Sequence, residues 1–426
     1  MITTTRLASV LAVLGIACGG DSSSTPDDTT GSETSPDETS SSGSTTAPMT
    51  TTTNPDATGP ADTTADPPGD CDRTTRYTLY DGQACGRVFV GDVDGDAFAD
   101  LVAFGQDPEA VITPISQTLH TFEGSGIGLQ MAEVHCCTDA SRNGSGAIFD
   151  INGDMHGDAI WTSERTVFSD DVGSTEFTIE KTVRGPERGW VGDGVVLFHG
   201  DDLPPPVFTI GRITPQETGV LAIADGALHS MLGTGDQLGL EIVRSLVLDP
   251  MPTIHALATV EFDGIQGVDV VGVGPDGLSL WGGSLEGTFT DAVVTKLPGE
   301  YTAMQSIDTD LDGARQIVLF GAGEPVAFVD SDGDGNLTVV TTGTPTLDRP
   351  GQIIAVDSGV YPDLVAKDGD NLVYYPGDGK GFGDAVVLAP IGDVNGIAFG
   401  DFDANGFDDI VACDEQGLLV VYHADE

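Results

Sequence analysis

The sequence predicts an all-β fold, a seven-bladed β-propeller with acidic loops, preceded by an export signal and a disordered linker. Three observations predict it. A pattern of β-prone run, acidic loop and strand opening on Asp plus aliphatics recurs seven times. Its starts, near residues 92, 150, 212, 261, 308, 357 and 401, are about 44–62 residues apart, the length of a four-stranded blade. No long stretch has helical periodicity, and Gly, Asp and Pro separate the short apolar runs.

The clearest copies are GDVDGDAFADLV (91–102), DINGDMHGDAI (150–160) and DFDANGFDDIV (401–411). DTDLDGARQIV (308–318) keeps the front of the loop. EFDGIQGVDVV (261–271) has Ile265 at the fifth position, DSGVYPDLV (357–365) is two residues short, and GRITPQETGVLAIA (211–224) keeps only the strand. Between loops, strands are expected at 102–104, 195–198, 268–273, 278–281, 292–296, 372–375, 385–388 and 418–422. The last unit, from about Gly396 to Glu426, has room for three strands. Thr74–Tyr80 (TTRYTLY) is expected to supply the fourth and close the ring, leaving no open sheet edge. A β-sandwich or open solenoid is the rival architecture, and seven near-equal units argue against it.

Residues 1–17 have signal-peptide anatomy: Arg6, then eleven apolar or small residues, Leu7–Ala17, too few for the roughly 20 that span a bilayer. The Cys18-Gly19-Gly20 ending resembles a bacterial lipoprotein signal, although Leu14 stands one place further from the Cys than that pattern has it. The resemblance implies lipidation of Cys18 and anchoring at the outer membrane or cell surface. Ordinary secretion or a periplasmic location is the alternative. Residues 18–72 are dominated by Ser, Thr, Asp, Glu, Gly and Pro, with no Lys or Arg between Arg6 and Arg73. Such a segment cannot bury enough apolar surface to offset its ordering entropy, so it reads as a tether with an end-to-end distance of about 40 Å. Residues 73–426 are the expected propeller.

The 426 residues hold 16 Lys plus Arg against 68 Asp plus Glu, a formal charge of −52. That balance excludes a nucleic-acid binder, which a phosphate backbone would repel, and a protein held to anionic lipid by a basic patch. Eleven of the acids lie between Asp21 and Asp72. A chain this acidic either stays highly solvated or holds cations.

The strong loops follow D-x-[DN]-x-[DN]-x-x-x-D. Alternate residues of a tight loop turn inward, so positions 1, 3, 5 and 9 converge, and position 7 can add a carbonyl. Six or seven hard oxygens suit Ca²⁺ better than Mg²⁺, which demands a stricter octahedron. Without a cation the carboxylates would repel one another.

These loops resemble FG-GAP (VCBS-type) repeats, the calcium-loop repeats of integrin-α-like seven-bladed propellers, over about residues 85–426. The resemblance implies a Ca²⁺ loop between two strands of a blade. It places the first site at Asp92, Asp94, Asp96 and Asp100 with the Phe98 carbonyl. The second is Asp150, Asn152, Asp154 and Asp158 with the His156 carbonyl. The third is Asp308, Asp310 and Asp312 with the Ala314 carbonyl, Gln316 standing where the last Asp belongs. The fourth is Asp401, Asp403, Asn405 and Asp409 with the Phe407 carbonyl. Glu261, Asp263 and Asp269 are expected to be metal-free or weak. A further run, Asp330, Asp332, Asp334 and Asn336, resembles the start of an EF-hand-type loop without its terminal Glu, and is a secondary metal candidate against a solvated hairpin turn.

Five cysteines follow Cys18. Ring closure is expected to bring Cys71 or Cys85 to Cys413, while Cys136 and Cys137 form a vicinal pair or are unrelated. The sequence has no H-E-x-x-H, G-x-S-x-G or P-loop motif. Trp190, Trp281, Tyr374 and Tyr375 could stack on a sugar but read better as packing. The expected role is a monomeric, exported, surface-anchored binding or adhesion module for a protein or glycan. The alternatives are a polysaccharide hydrolase or lyase with its site in the propeller funnel, and a passive structural lipoprotein.

Overall fold

The computed structural model describes residues 71–79, 84–106, 116–125, 128–139, 146–169, 172–184, 190–199, 205–214, 217–233, 240–262, 267–331, 336–354, 356 and 360–423. The strands in them form seven four-stranded antiparallel sheets, and no helix among the described residues is long and apolar enough to cross a membrane. Blade 1 comprises Ala84–Gly91, Asp100–Gln106, Ser116–Glu123 and Gln130–Asp139. Blade 2 comprises Gly146–Phe149, Asp158–Ser169, Val172–Arg184 and Trp190–His199, and blade 3 Val207–Thr214, Glu217–Ala224, Ala227–Gly233 and Leu240–Val247. Blade 4 runs from Ala256–Val260 through Asp269–Gly274 and Gly277–Trp281 to Val293–Thr295. Blade 5 runs from Ala303–Ile307 through Gln316–Phe320 and Pro325–Ser331 to Leu337–Thr346. Blade 6 holds Gln352–Ile354, Asp363–Asp368, Asn371–Tyr375 and Val386–Pro390.

Blade 7 joins Gly396–Gly400, Asp409–Asp414 and Gly417–His423 to the N-terminal strand Cys71–Tyr77, which pairs antiparallel with Gly417–His423. The sequence places this closing strand at Thr74–Tyr80, and pairing begins three residues earlier. The seam is held in several ways. A Cys85–Cys413 disulfide joins blades 1 and 7 across 328 residues. Arg76 donates to both carboxylate oxygens of Asp414, at 2.8 and 2.9 Å. Tyr77 Oη lies 2.9 Å from Tyr422 Oη and donates to the Leu129 carbonyl, while Leu129 N donates to Tyr422 Oη. The first strands of successive blades touch around a closed ring and so line the axis.

The core is seven clusters, each shared by two neighbouring blades. Alternation along the second strands makes this possible. In blade 1, Leu101 and Ala103 face blade 7 while Val102 and Phe104 face blade 2. In blade 5, Ile317 and Leu319 face blade 4 while Val318 and Phe320 face blade 6. Both faces of these strands are buried, so they read as unbroken apolar runs rather than as alternating polar and apolar residues. Trp281, Tyr374 and Tyr375 lie in these cores, and Trp190 packs there with Nε1 on Thr121 Oγ1 at 2.9 Å. The aromatic residues considered for sugar stacking are packing residues.

Candidate metal centres

The four acidic loops leave the ends of the first strands of blades 1, 2, 5 and 7 and share one backbone path. Positions 4 and 6 are left-handed in all of them. The pairs are Gly95 and Ala97, Gly153 and Met155, Leu311 and Gly313, and Ala404 and Gly406, with φ between 59° and 92°. One member of each pair is Gly, which takes this conformation without steric cost, while the other member costs about 1 kcal/mol or more. Such repeated departures mark an over-determined local structure.

Side chains fix the same path in each loop. The position-1 Oδ2 accepts the position-6 N–H, from Ala97 to Asp92 (3.0 Å), Met155 to Asp150 (2.9 Å), Gly313 to Asp308 (3.0 Å) and Gly406 to Asp401 (2.9 Å). The position-5 Oδ1 accepts the position-7 N–H, from Phe98 to Asp96, His156 to Asp154, Ala314 to Asp312 and Phe407 to Asn405, at 2.8–3.0 Å. Position 7 is thus held with its N–H turned back into the loop.

The folded loops gather carboxylates. Oxygens of Asp92, Asp94 and Asp96 lie within 4.8 Å of one another, as do those of Asp308, Asp310 and Asp312, and those of Asp401, Asp403 and Asp409. In blade 2, Asp150 and Asp154 are joined by Asn152, whose Nδ2 donates to Asp154 Oδ2 at 3.2 Å. His156 Nδ1 is 3.4 Å from Asp154 Oδ1 and 3.1 Å from the Asp154 carbonyl oxygen. Burial raises the Asp96 carboxyl above its usual range, and the like charges of Asp94 and Asp92 push the same way. Asp308 Oδ1 is buried with no hydrogen-bond partner, an orphan that a cation would satisfy. An all-oxygen donor set of this kind fits Ca²⁺.

Position 9 has a second duty that the sequence pattern hides. Asp100 is fully buried; its Oδ2 accepts Val93 N–H at 2.7 Å and its Oδ1 accepts Gly124 N–H at 2.8 Å. Asp409 does the same with Phe402 and His423, and Asp158 Oδ2 accepts Ile151 N–H. Blades 4 and 6 keep this arrangement without the acidic loop. Asp269 takes Phe262 and Gly283 N–H, and Asp363 takes Val356 and Gly377 N–H, at 2.7–2.9 Å. Position 9 therefore braces the loop and the end of the third strand in blades 1, 4, 6 and 7, and the loop in blade 2. Burial raises Asp100 and Asp409 to about 7, the cost of placing an acid there.

Gln316 takes over this brace in blade 5. Its Oε1 accepts Thr309 N–H at 2.9 Å and Oγ1–H at 3.1 Å, and its Nε2 donates to Asp310 Oδ1 at 3.0 Å. The departure at position 9 therefore keeps the loop's architecture and holds Asp310 in place. Asp330, considered on sequence as part of a separate loop, closes on this site. Asp310, Asp312, Asp330 and Glu261 line one cavity of about 690 Å³ between blades 4 and 5. Burial raises Asp330, and the charges of Asp310 and Asp312 add to the rise. Asp332 and Asp334 lie outside the described residues, as do Asp263, Ile265 and Cys18; Asn336 precedes the strand Leu337–Thr346. Of the cysteine expectations, Cys85 is the partner of Cys413, and the side chains of Cys71, Cys136 and Cys137 lie outside the described residues.

Neighbouring loops are chained. Gly157 N–H, at position 8 in blade 2, donates to the Asp92 carbonyl at 2.8 Å, and Ala99 N–H, at position 8 in blade 1, to the Asp401 carbonyl at 3.4 Å. A Cβ on Gly157 would stand 2.5 Å from the Asp92 oxygen, so this contact needs glycine. The acidic loops of blades 7, 1 and 2 form a continuous arc that crosses the seam.

The architecture defines the chain as a seven-bladed β-propeller, and solved structures agree. A lectin of Agrocybe aegerita, solved for its specific recognition of non-reducing terminal N-acetylglucosamine, is similar at 14% identity and a TM-score of 0.51, over 76% of this chain and 81% of that one. BBS1N, solved in complex with ARL6DN, is similar at 13% identity and a TM-score of 0.53, over 84% of this chain and 97% of that one. Identity at this level establishes the fold alone. No family model matches the sequence, and no curated protein does.

Proposed function

We propose that the chain is an exported, lipid-anchored, Ca²⁺-dependent binding module of the FG-GAP/VCBS type, presenting its propeller to a protein or glycan. The observation that carries this reading is the common geometry of the four acidic loops. Four separate stretches of sequence accept two left-handed residues each, and in three of them the oxygens of three carboxylates lie within 4.8 Å of one another. In this reading Asp92, Asp94 and Asp96, their counterparts in blades 2, 5 and 7, and the position-7 carbonyls hold Ca²⁺. The ion supplies charge neutralisation and cross-links the loop to its blade. The brace residues Asp100, Asp158 and Asp409 complete the shells.

The propeller's role as a binding module follows the use of its structural neighbours, a lectin and a protein complex. The tether would hold it clear of the membrane to which Cys18 is joined. A glycan array probed with the full chain in Ca²⁺ and again in EDTA tests the function. Hits that depend on Ca²⁺ support a glycan-binding module. Identical profiles in both conditions, with no stoichiometric Ca²⁺ on the protein, overturn the reading. The hydrolase alternative requires a catalytic carboxylate pair in the funnel, whereas the described lining of the axial cavity carries Arg87, Arg349 and Lys367.

A further inference from the structure

A cluster of cations lies away from the acidic loops. A cavity of about 590 Å³ is lined by first-strand residues of blades 1, 2, 5, 6 and 7, and therefore opens on the axis. Gly146, Ala303, Gln352 and Gly396 in its wall are the opening residues of their strands, whereas the acidic loops leave the closing ends. The cavity thus belongs to the face opposite the candidate metal centres. Among the described residues its charged lining is Arg87, Arg349 and Lys367, with no Asp or Glu, in a chain whose acids outnumber its Lys and Arg by 68 to 16.

These cations are held rather than trailing in solvent. Arg87 is 5% exposed, and its Nη1 donates to the Thr162 carbonyl of blade 2 at 3.4 Å. Burial lowers its pKa to about 9, which leaves it charged at neutral pH. Arg349 Nη1 donates to the Val394 carbonyl of blade 7, and its Nη2 is 3.6 Å from Asp393. Lys367 Nζ donates to the same Asp393 at 3.0 Å. Asp393, its side chain 72% exposed, is the counter-ion of both. A buried guanidinium on a concave wall is costly to desolvate, and an anion in the cavity offsets that cost. The volume falls within the range of small-molecule sites.

We infer that the axial cavity binds a small organic anion of monosaccharide size, its carboxylate or phosphate held by Arg349 and Lys367 at the mouth and facing Arg87 within. Planar guanidinium forks suit either oxyanion. The inference stands apart from the calcium reading, because the cavity lies at the opposite ends of the first strands from the acidic loops.

Calorimetric titration of the full chain at low salt tests it, with galacturonate, glucose 6-phosphate and galactose as probes, in Ca²⁺ and in EDTA. Binding of at least one of the two anions at least tenfold tighter than galactose is expected, and which anion binds identifies the head group. Arg349→Gln with Lys367→Gln should weaken it at least tenfold, while Asp393→Asn should strengthen it severalfold by removing the competing carboxylate. Both changes lie at the mouth, so thermal unfolding should confirm an intact fold. The proposal is overturned if neither anion binds at 10 mM, if galactose binds equally, or if the folded Arg349/Lys367 variant binds unchanged. A response to Asp393→Asn in EDTA separates this site from any failure of the calcium loops.

Discussion

Blades 1 and 6 are built on the same frame but differ in the loop after the first strand. In blade 1 that loop carries Asp92, Asp94 and Asp96 ahead of Asp100; in blade 6 the sequence has a single acid, Asp357, ahead of Asp363. Yet Asp363 and Asp100 make the same pair of backbone hydrogen bonds. The comparison separates two jobs that one motif merges. The ninth residue braces the fold in both blades, while the proposed ion also needs the first, third and fifth.

Substitution at the brace should have the largest effect. Asp363→Ala leaves two buried N–H groups without acceptors, at about 1–3 kcal/mol each. Urea unfolding should show a loss of roughly 2–5 kcal/mol, equal in Ca²⁺ and in EDTA. A loss that vanishes in EDTA would mean that blade 6 also holds an ion, and the comparison would break. Asp92→Asn should behave in the opposite way. It should remove one bound Ca²⁺ and about 2.7 kcal/mol of stabilisation when Ca²⁺ stands at a hundred times its dissociation constant, with a smaller loss in EDTA, since an Asn amide keeps one of the two oxygens that accept the exposed Gly95 and Ala97 N–H groups. Equal destabilisation in both conditions would make Asp92 a structural residue like Asp363.

Blade 5 lies between the two cases. Gln316 braces the loop with its oxygen and spends its amide nitrogen on Asp310. Gln316→Glu should raise Ca²⁺ affinity at that loop several-fold by adding a carboxylate at position 9, read by calorimetry against the parent. No change would assign position 9 wholly to the brace.

The smallest effect near neutral pH comes from a residue of the common frame. His120, fully buried in the third strand of blade 1, is held by burial at about 4 rather than 6.5. Folding favours the neutral ring, so its contribution is complete above pH 6.5 and is lost as pH falls through 4. Asp100 and Asp409, raised to about 7, gain stability as pH falls through the same window, so the His120 part is read as the difference between parent and His120→Gln in EDTA, which should shrink as pH falls from 6.5 to 4.

Much of the fold was legible because the blade is a repeat. Second strands buried on both faces must be apolar throughout, and the Asp that opens most of them marks each start. The short last unit pointed to ring closure by the N-terminal strand, and Cys85–Cys413 and Arg76–Asp414 fasten that seam. The four loops were legible from spacing alone. The brace was not, because Asp100 satisfies both roles in one pattern; the clue was Asp269 and Asp363, kept in units whose loops have lost the fifth-position acid or amide. The approach of Asp330 to Asp310 and Asp312 was not legible, because pairing rather than sequence brings them together. The axial cations were hidden for the same reason: Arg87, Arg349 and Lys367 share no local motif and meet only when the ring closes.

The central claim is that the acidic loops are ion sites built on a frame that folds without them. Calcium titration of the full chain by calorimetry, paired with thermal unfolding in Ca²⁺ and in EDTA, tests it most directly. The account predicts about four bound ions, one per acidic loop, and a melting temperature that falls on chelation and is restored by Ca²⁺. A protein that binds no stoichiometric Ca²⁺ and melts identically in both conditions would contradict it.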